Sequence, residues 1–176
     1  MKKYKAIAIP VTFEGDRPRF LTVRDRRFKD WIFVTGGCRR REIFNPLRCA
    51  LRELEEETRG VVALKKGEYT EFNFTVKENA TTDLVYNVFV FFVNYKRPDQ
   101  LGMIKKFNDE KLKTNLKKIN KEPIKKTFDE NDFMSFDTLD EFNSRKRWDL
   151  IVKNVIQNPE FYSCVTSLNR KTFSIK

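Results

Sequence analysis

Apolar and polar residues alternate from the start of the chain. Ile7, Ile9, Val11 and Phe13 fall on one side of residues 4–13, the period-two pattern of a half-buried strand. Pro10 cannot donate to a ladder, so the pattern predicts an edge strand or a bulge. Residues 14–18 (EGDRP) make a turn, and residues 19–25 return as a second strand. Residues 31–37 (WIFVTGG) form a short buried run that ends in two glycines. Asn45 followed by Pro46 predicts a helix start; Leu47, Ala50, Leu51 and Leu54 share one face, and Gly60 is the stop. Two strands follow, around a turn near 78–82. The second, 84–95, is apolar almost throughout, which predicts a central strand covered on both faces. Residues 104–126 predict an amphipathic helix, with Asn108 as cap, Asp109 and Glu110 in the first turn, and Leu112, Leu116 and Ile119 facing inward. A late strand at 132–136, a helical turn at 137–142 and a closing helix over 147–157, stopped by Asn158-Pro159, complete the chain. Strands and helices are intermixed, so the fold class is α/β or α+β around a mixed sheet, in one domain over 1–176.

Charge changes this picture. The formal charge is +11, from 36 basic and 25 acidic residues, an excess that attracts polyanions. There is no histidine, which excludes Ser-His and Cys-His nucleophiles and histidine metal sites. Cys38, Cys49 and Cys164 give neither a disulfide framework nor a zinc pattern, so a reducing, cytoplasmic setting and no disulfide-linked partner are expected. No run of about 18 apolar residues exists, so no membrane span is expected. The charged and then apolar start alternates and lacks a small-residue cleavage site, so it reads as a strand and not a leader.

The chemistry concentrates between residues 34 and 62. Glu53, Glu55, Glu56 and Glu57 crowd the end of the first helix, and Glu53, Glu56 and Glu57 gather beside its apolar stripe. Clustered carboxylates repel one another, and a hard divalent cation removes that repulsion. Gly36 and Gly37 let backbone approach a phosphate, and Arg39, Arg40 and Arg41 meet its negative charge. The combination points to metal-assisted chemistry on a phosphate or diphosphate, against the alternative of a solvated acidic face.

These residues resemble the signature of the Nudix hydrolases: a Gly, five residues, a Glu, seven residues, then Arg-Glu-apolar-x-Glu-Glu-x-Gly-apolar. Arg52, Glu53, Leu54, Glu56, Glu57, Gly60 and Val61 match the second half; Gly36 or Gly37 and Glu42 match the first. Two departures stand out. Arg59 is an extra residue before Gly60, which a helix one residue longer would absorb. Glu42 lies nine residues before Arg52, and counting back along the helix puts Phe44 in its place; Glu42 is therefore expected in the loop, off the metal face. The resemblance implies a Nudix-like α/β/α sandwich with a mixed central sheet. It implies Mg2+ or Mn2+ held by Glu53, Glu56, Glu57 and the backbone of Gly37. Glu53 or Glu56 would act on the attacking water, Arg52 would position a glutamate, and Gly36 would complete the phosphate site. A further acidic residue is expected from a late loop, where Glu130 is preferred over Asp129 and Asp132.

The signature does not select the substrate. Nine lysines between 104 and 126 read as a Lys-rich helical insertion suited to a long polyanion, with Lys113, Lys117 and Lys118 as contacts. Among Nudix activities this favours removal of the 5′ cap of mRNA, as by enzymes of large DNA viruses, with capped RNA as partner. Small nucleoside diphosphate derivatives, dinucleotide polyphosphates and inositol pyrophosphates are the alternatives. A non-catalytic RNA-binding module is the alternative of another class.

Overall fold

The computed structural model describes residues 1–65 and 67–168. Its centre is a mixed sheet built on β1 (Lys2–Glu14) and β6 (Asp83–Phe92), which run parallel from Lys2↔Asp83 to Val11↔Phe92. β5 (Tyr69–Lys77) pairs antiparallel with β6 on the outer side. On the other side β1 meets two partners in succession. β4 (Val34–Gly37) pairs with residues 5–8 and β2 (Arg17–Asp25) with residues 11–14. β2 in turn carries β3 (Trp31–Ile32) and β7 (Asn131–Asp137). β1 is thus central, and the edge position expected from Pro10 is wrong. Pro10 falls in the interval where one neighbour gives way to the next, so its missing N–H is not needed by either.

Helices cover both faces. Alternate residues of β6 separate two cores: Tyr86, Val88, Val90 and Phe92 face one, Phe89 and Phe91 the other. The second core is closed by α1 (Pro46–Glu57), through Cys49, Ala50 and Leu54, and by α2 (Arg97–Ile119), through Phe107. The first is closed by α3 (Leu139–Asn143), by α4 (Asp149–Ile151) with its π-helical continuation Val152–Ile156, and by α5 (Pro159–Ser167). The result is the expected α/β/α sandwich with a mixed sheet.

Three helix expectations are corrected. Asn158-Pro159 does not end the chain's helical part. Asn158 caps α5, accepting from Glu160 N, with Pro159 in its first turn, which is the arrangement of Asn45-Pro46 at α1. α2 begins at Arg97, not near Asn108, because Asp99 accepts from Lys96 N and Pro98 suits the first turn. Leu112, Leu116 and Ile119 point outward and are 63%, 59% and 75% exposed. The inner face of distal α2 is polar instead, because it lies on the start of β7 and the loop before it. Lys111 Nζ donates to Asp132 O at 2.8 Å, and Lys118 pairs with Asp129.

The cysteine expectation also changes. Cys38 and Cys49 are paired within the chain, their Cα atoms 5.3 Å apart, and Cys164 is free and buried. The loop after β4 turns back onto the first turns of α1, a proximity that residue counting does not disclose. The paired cysteines remove the basis for inferring a reducing compartment. Among the described residues no helix is long and apolar enough to cross a membrane.

The extra residue Arg59 does not lengthen α1. The helix ends at Glu57 and Thr58 caps it, and Arg59 adopts a left-handed φ of 56°. Its side chain turns inward. Nη2 donates to Asp129 Oδ1 at 3.0 Å and to Asn131 O at 2.7 Å, and the guanidinium lies 5.2 Å from the centre of the Phe107 ring. One buried cation thus joins the end of α1, α2 and the loop before β7. Arg59→Leu should lower stability by about 3 kcal/mol, since it strips a buried carboxylate of one partner. For a chain of this size that is a fall of about 10 °C in Tm. Thermal and urea unfolding of the variant against the parent check it; a midpoint unchanged within error would show the clamp to be dispensable.

Candidate active site

The site grows from the end of β4 and the face of α1 beside the apolar stripe. Glu53 is buried directly beneath Gly36. A Cβ built on Gly36 would lie 1.9 Å from the Glu53 carboxyl carbon, so only glycine fits there. Glu57 is buried one turn on, and Asn131 Nδ2 donates to both its backbone O (3.1 Å) and its Oε2 (2.9 Å). Glu56 lies nearer the surface and Glu55 is exposed, as their helical positions require.

Arg52 ties these groups together. Nε and Nη2 each donate to a Glu42 oxygen at 2.8 Å, Nη1 donates to Glu53 Oε1 (3.0 Å) and Glu56 Oε2 (3.1 Å), and Nη2 also reaches Gly37 O at 3.0 Å. Glu42 lies in the loop before α1, as expected, yet it is bound to the arginine that also holds Glu53 and Glu56. The 3₁₀ turn Arg40–Glu42 folds back, Glu42 is buried, and its carboxylate also accepts from Arg39 N at 2.8 Å. Its pKa is lowered, first by the hydrogen bond from Arg52. Phe44, the other claimant, is 96% exposed. The glycine spacing, and not the count along the helix, locates the glutamate.

The late loop, with Asp129, Glu130 and Asp132, packs beside the end of α1. Asp129 is held by Arg59 and Lys118, and Asp132 by Arg24 and Lys29. Glu130 instead faces other carboxylates. Burial raises its pKa, and the charges of Glu56 and Asp25 raise it further. Burial raises Glu53 to about 7, with Glu56 and Glu130 adding to the shift against the pull of Arg52. Burial also pushes Glu57 well above the usual carboxylate range.

This donor set suits a hard divalent cation. Burial and mutual repulsion raise the pKa of Glu53, Glu57 and Glu130, and Arg52 is shared among three partners. Among the described residues no three carboxylates converge on one point as they stand. Glu56 is turned to Arg39 (3.3 Å) and Arg52, and Gly37 O is occupied by Arg52.

Of the expected substrate contacts, Arg39 reaches Glu56, whereas Arg40 and Arg41 stand exposed on the same turn. Lys113 is exposed and paired with Glu110, Lys117 is exposed, and Lys118 is committed to Asp129. Sequence reasoning did not single out Asp25, Asn131 or Arg59 as parts of this neighbourhood. Only Arg59 left a signal, as the residue extra to the family spacing.

The chain can now be compared with known proteins. The family model described as NUDIX domain matches residues 2–150. No curated protein sequence matches. Among solved structures, the NUDIX domain of NrtR from Shewanella oneidensis, in complex with ADP-ribose, superposes with a TM-score of 0.58 at 11% identity, covering 91% of this chain and 88% of that one. The Nudix hydrolase RenU from M. smegmatis gives 0.58 at 11% identity, over 97% and 92%. The C. elegans Ap4A hydrolase gives 0.53 at 12% identity, over 90% and 98%. At these identities the likeness speaks for the fold alone. The family assignment rests on the match over residues 2–150, which contain the Gly36–Gly60 signature and the carboxylate helix, and on that ground the chain belongs to the NUDIX domain family.

Proposed function

We propose that this protein is a divalent-metal-dependent hydrolase of a diphosphate linkage in a nucleotide, acting by preference on the 5′ end of capped RNA. The observation that carries the hydrolytic reading is the stack of Gly36 on Glu53, with Glu56, Glu57 and Glu130 beside it and one arginine between them. Glu53, Glu56, Glu57 and the Gly37 carbonyl would hold Mg2+ or Mn2+ once Glu56 leaves Arg39 and Arg52. A cation so held supplies charge neutralisation on the diphosphate and a more acidic water. Glu53 or Glu130 accepts the proton of the attacking water, since both are less acidic than an ordinary carboxylate. Arg52 keeps Glu53 and Glu56 in place, and Glu42 keeps Arg52 in place. Arg40 and Arg41, exposed on the turn after Gly37, meet the phosphates.

The RNA preference rests on charge. The chain carries +11, and α2, which packs on the loop bearing Glu130, presents Lys106, Lys113 and Lys117 outward on one side. A solvated face is the plainer reading of those lysines. Small nucleoside diphosphate derivatives, dinucleotide polyphosphates or inositol pyrophosphates then become the substrates.

Turnover should disappear with chelator and return with Mg2+ or Mn2+. Glu56→Gln and Gly36→Ala should each lower kcat by about a hundredfold or more, the first by removing a charged ligand and the second by displacing Glu53, while Glu55→Gln changes little. Equal effects at Glu55 and Glu56 would remove α1 from the chemistry.

The pH dependence of stability tests the metal reading separately. A carboxyl that titrates near 4.5 when unfolded and near 7 when folded gives a native state that binds the extra proton between those values. Stability of the metal-free protein therefore falls as pH rises through that window, and it falls further because Glu57 and Glu130 are raised too. No histidine titrates there to mask the effect. Tm in chelator should be lower at pH 8 than at pH 5.5, and Mg2+ should raise Tm more at pH 8. The same pH slope with and without Mg2+ would mean that the cluster does not bind it.

Binding to long RNA should weaken with salt, log affinity falling with a slope near −0.7 per single-strand phosphate contacted. Lys106, Lys113 and Lys117 changed together to Gln should raise KM for capped RNA with kcat kept, and leave a small cap analogue unaffected. Identical salt slopes for RNA and the small analogue would transfer preference to the small nucleotide.

A further inference from the structure

We propose that the cleft lined by Asp25, Phe28, Asp30, Ile32 and Trp148 is the base-binding half of the substrate site, and that it takes guanine in preference to adenine. The inference rests on the reading of the carboxylate site only in that the base belongs to the same nucleotide. The cleft holds about 370 Å³, within the range of small-ligand sites and ample for a purine.

Two aromatic side chains line it. Phe28 is 65% exposed, so the core does not account for its position. The turn that bears it is built on purpose. Asp25 Oδ2 accepts from Phe28 N, Lys29 adopts a left-handed φ of 61°, and Lys146 Nζ donates to Phe28 O at 3.1 Å. A non-glycine residue at such a φ is uncommon and needs its surroundings to hold it. The backbone N–H of Trp148 donates to Trp31 O, and the side chain is half-buried against the core. Flat rings so placed suit stacking on a base, which does not depend on sequence.

The polar groups supply the selection. Asp25 and Asp30 as carboxylates only accept hydrogen bonds. Guanine offers two adjacent donors on one edge, the ring N1–H and the exocyclic amino group. Adenine offers one donor beside a lone pair that a carboxylate repels. A guanine methylated at N7 carries positive charge, which the aromatic faces and both carboxylates favour further. Lys146, 3.4 Å from Asp30, is the one cation paired with either carboxylate among the described residues.

The cleft also adjoins the chemistry. Asp25 is close enough for its charge to raise Glu57 and Glu130, and Arg26 N donates to Glu130 O at 2.9 Å. A base seated at Phe28 therefore brings its phosphates toward the carboxylate loop.

Calorimetric titration of the full chain in chelator with GMP, 7-methyl-GMP and AMP tests this without turnover. GMP should bind about tenfold tighter than AMP, the scale of a bidentate base contact, and 7-methyl-GMP tighter again. Phe28→Ala, at an exposed position, should weaken GMP by about fivefold or more through lost stacking. Asp30→Asn should narrow the gap between GMP and AMP. Equal affinities for GMP and AMP, no measurable binding of any of the three, or an unaffected Phe28→Ala variant would overturn the proposal. If GMP is preferred in a protein that hydrolyses no diphosphate with Mg2+ or Mn2+, the carboxylate reading fails and the base site stands. If turnover is present and GMP and AMP bind alike, the base site fails alone.

Discussion

Arg52 is the constraint on which the site depends. Its planar fork reaches Glu42 on the 3₁₀ turn, Glu53 and Glu56 on its own helix, and the carbonyl of Gly37 at the end of β4. Without it, Glu42 and Glu56 would keep only Arg39 as donor, and Glu53 would lose the hydrogen bond that Nη1 gives it. A lysine could not replace it, because one ammonium cannot present parallel donors to a carboxylate while reaching two more. The guanidinium also fixes the loop that carries Arg39, Arg40 and Arg41, since that loop is held by Glu42.

A second arginine plays the corresponding part on the far side. Arg59, placed by a left-handed residue after α1, holds Asp129 and the carbonyl of Asn131. Asn131 in turn holds Glu57. The loop between those two contacts presents Glu130 to the carboxylates of α1. The cations of the interior thus position acidic residues, while burial and mutual repulsion raise the pKa of Glu53, Glu57 and Glu130. That imbalance is what a divalent cation and a diphosphate would relieve.

The same logic sorts the lysines of α2. Those facing the loop, Lys111 and Lys118, are consumed by a carbonyl and by Asp129. Those on the other side remain at the surface, beside the leucines that the sequence pattern had assigned to the interior. The amphipathic pattern identified the helix but chose the wrong face. A lysine can be the inward residue when the surface beneath it is acidic, and hydrophobic periodicity carries no information about that.

Local chemistry determined much of this protein. The alternation of β1, the apolar run of β6, the Asn-Pro start of α1 and the spacing of Glu53, Glu56 and Glu57 each depend on neighbours within a few residues, and each was legible. The acidic late loop was legible as a segment, with Asp129, Glu130 and Asp132 close together in sequence. What tertiary structure decided were partnerships across long separations. Pro10 is tolerated in a central strand because two other strands divide its flank. Cys38 meets Cys49 because a turn folds back. Glu42 belongs to Arg52, Arg59 to Asp129, and Phe28 shares a cleft with Trp148, more than a hundred residues away in sequence. Such pairings are set by the register of the sheet and the packing of helices on it, which no local pattern of residues encodes.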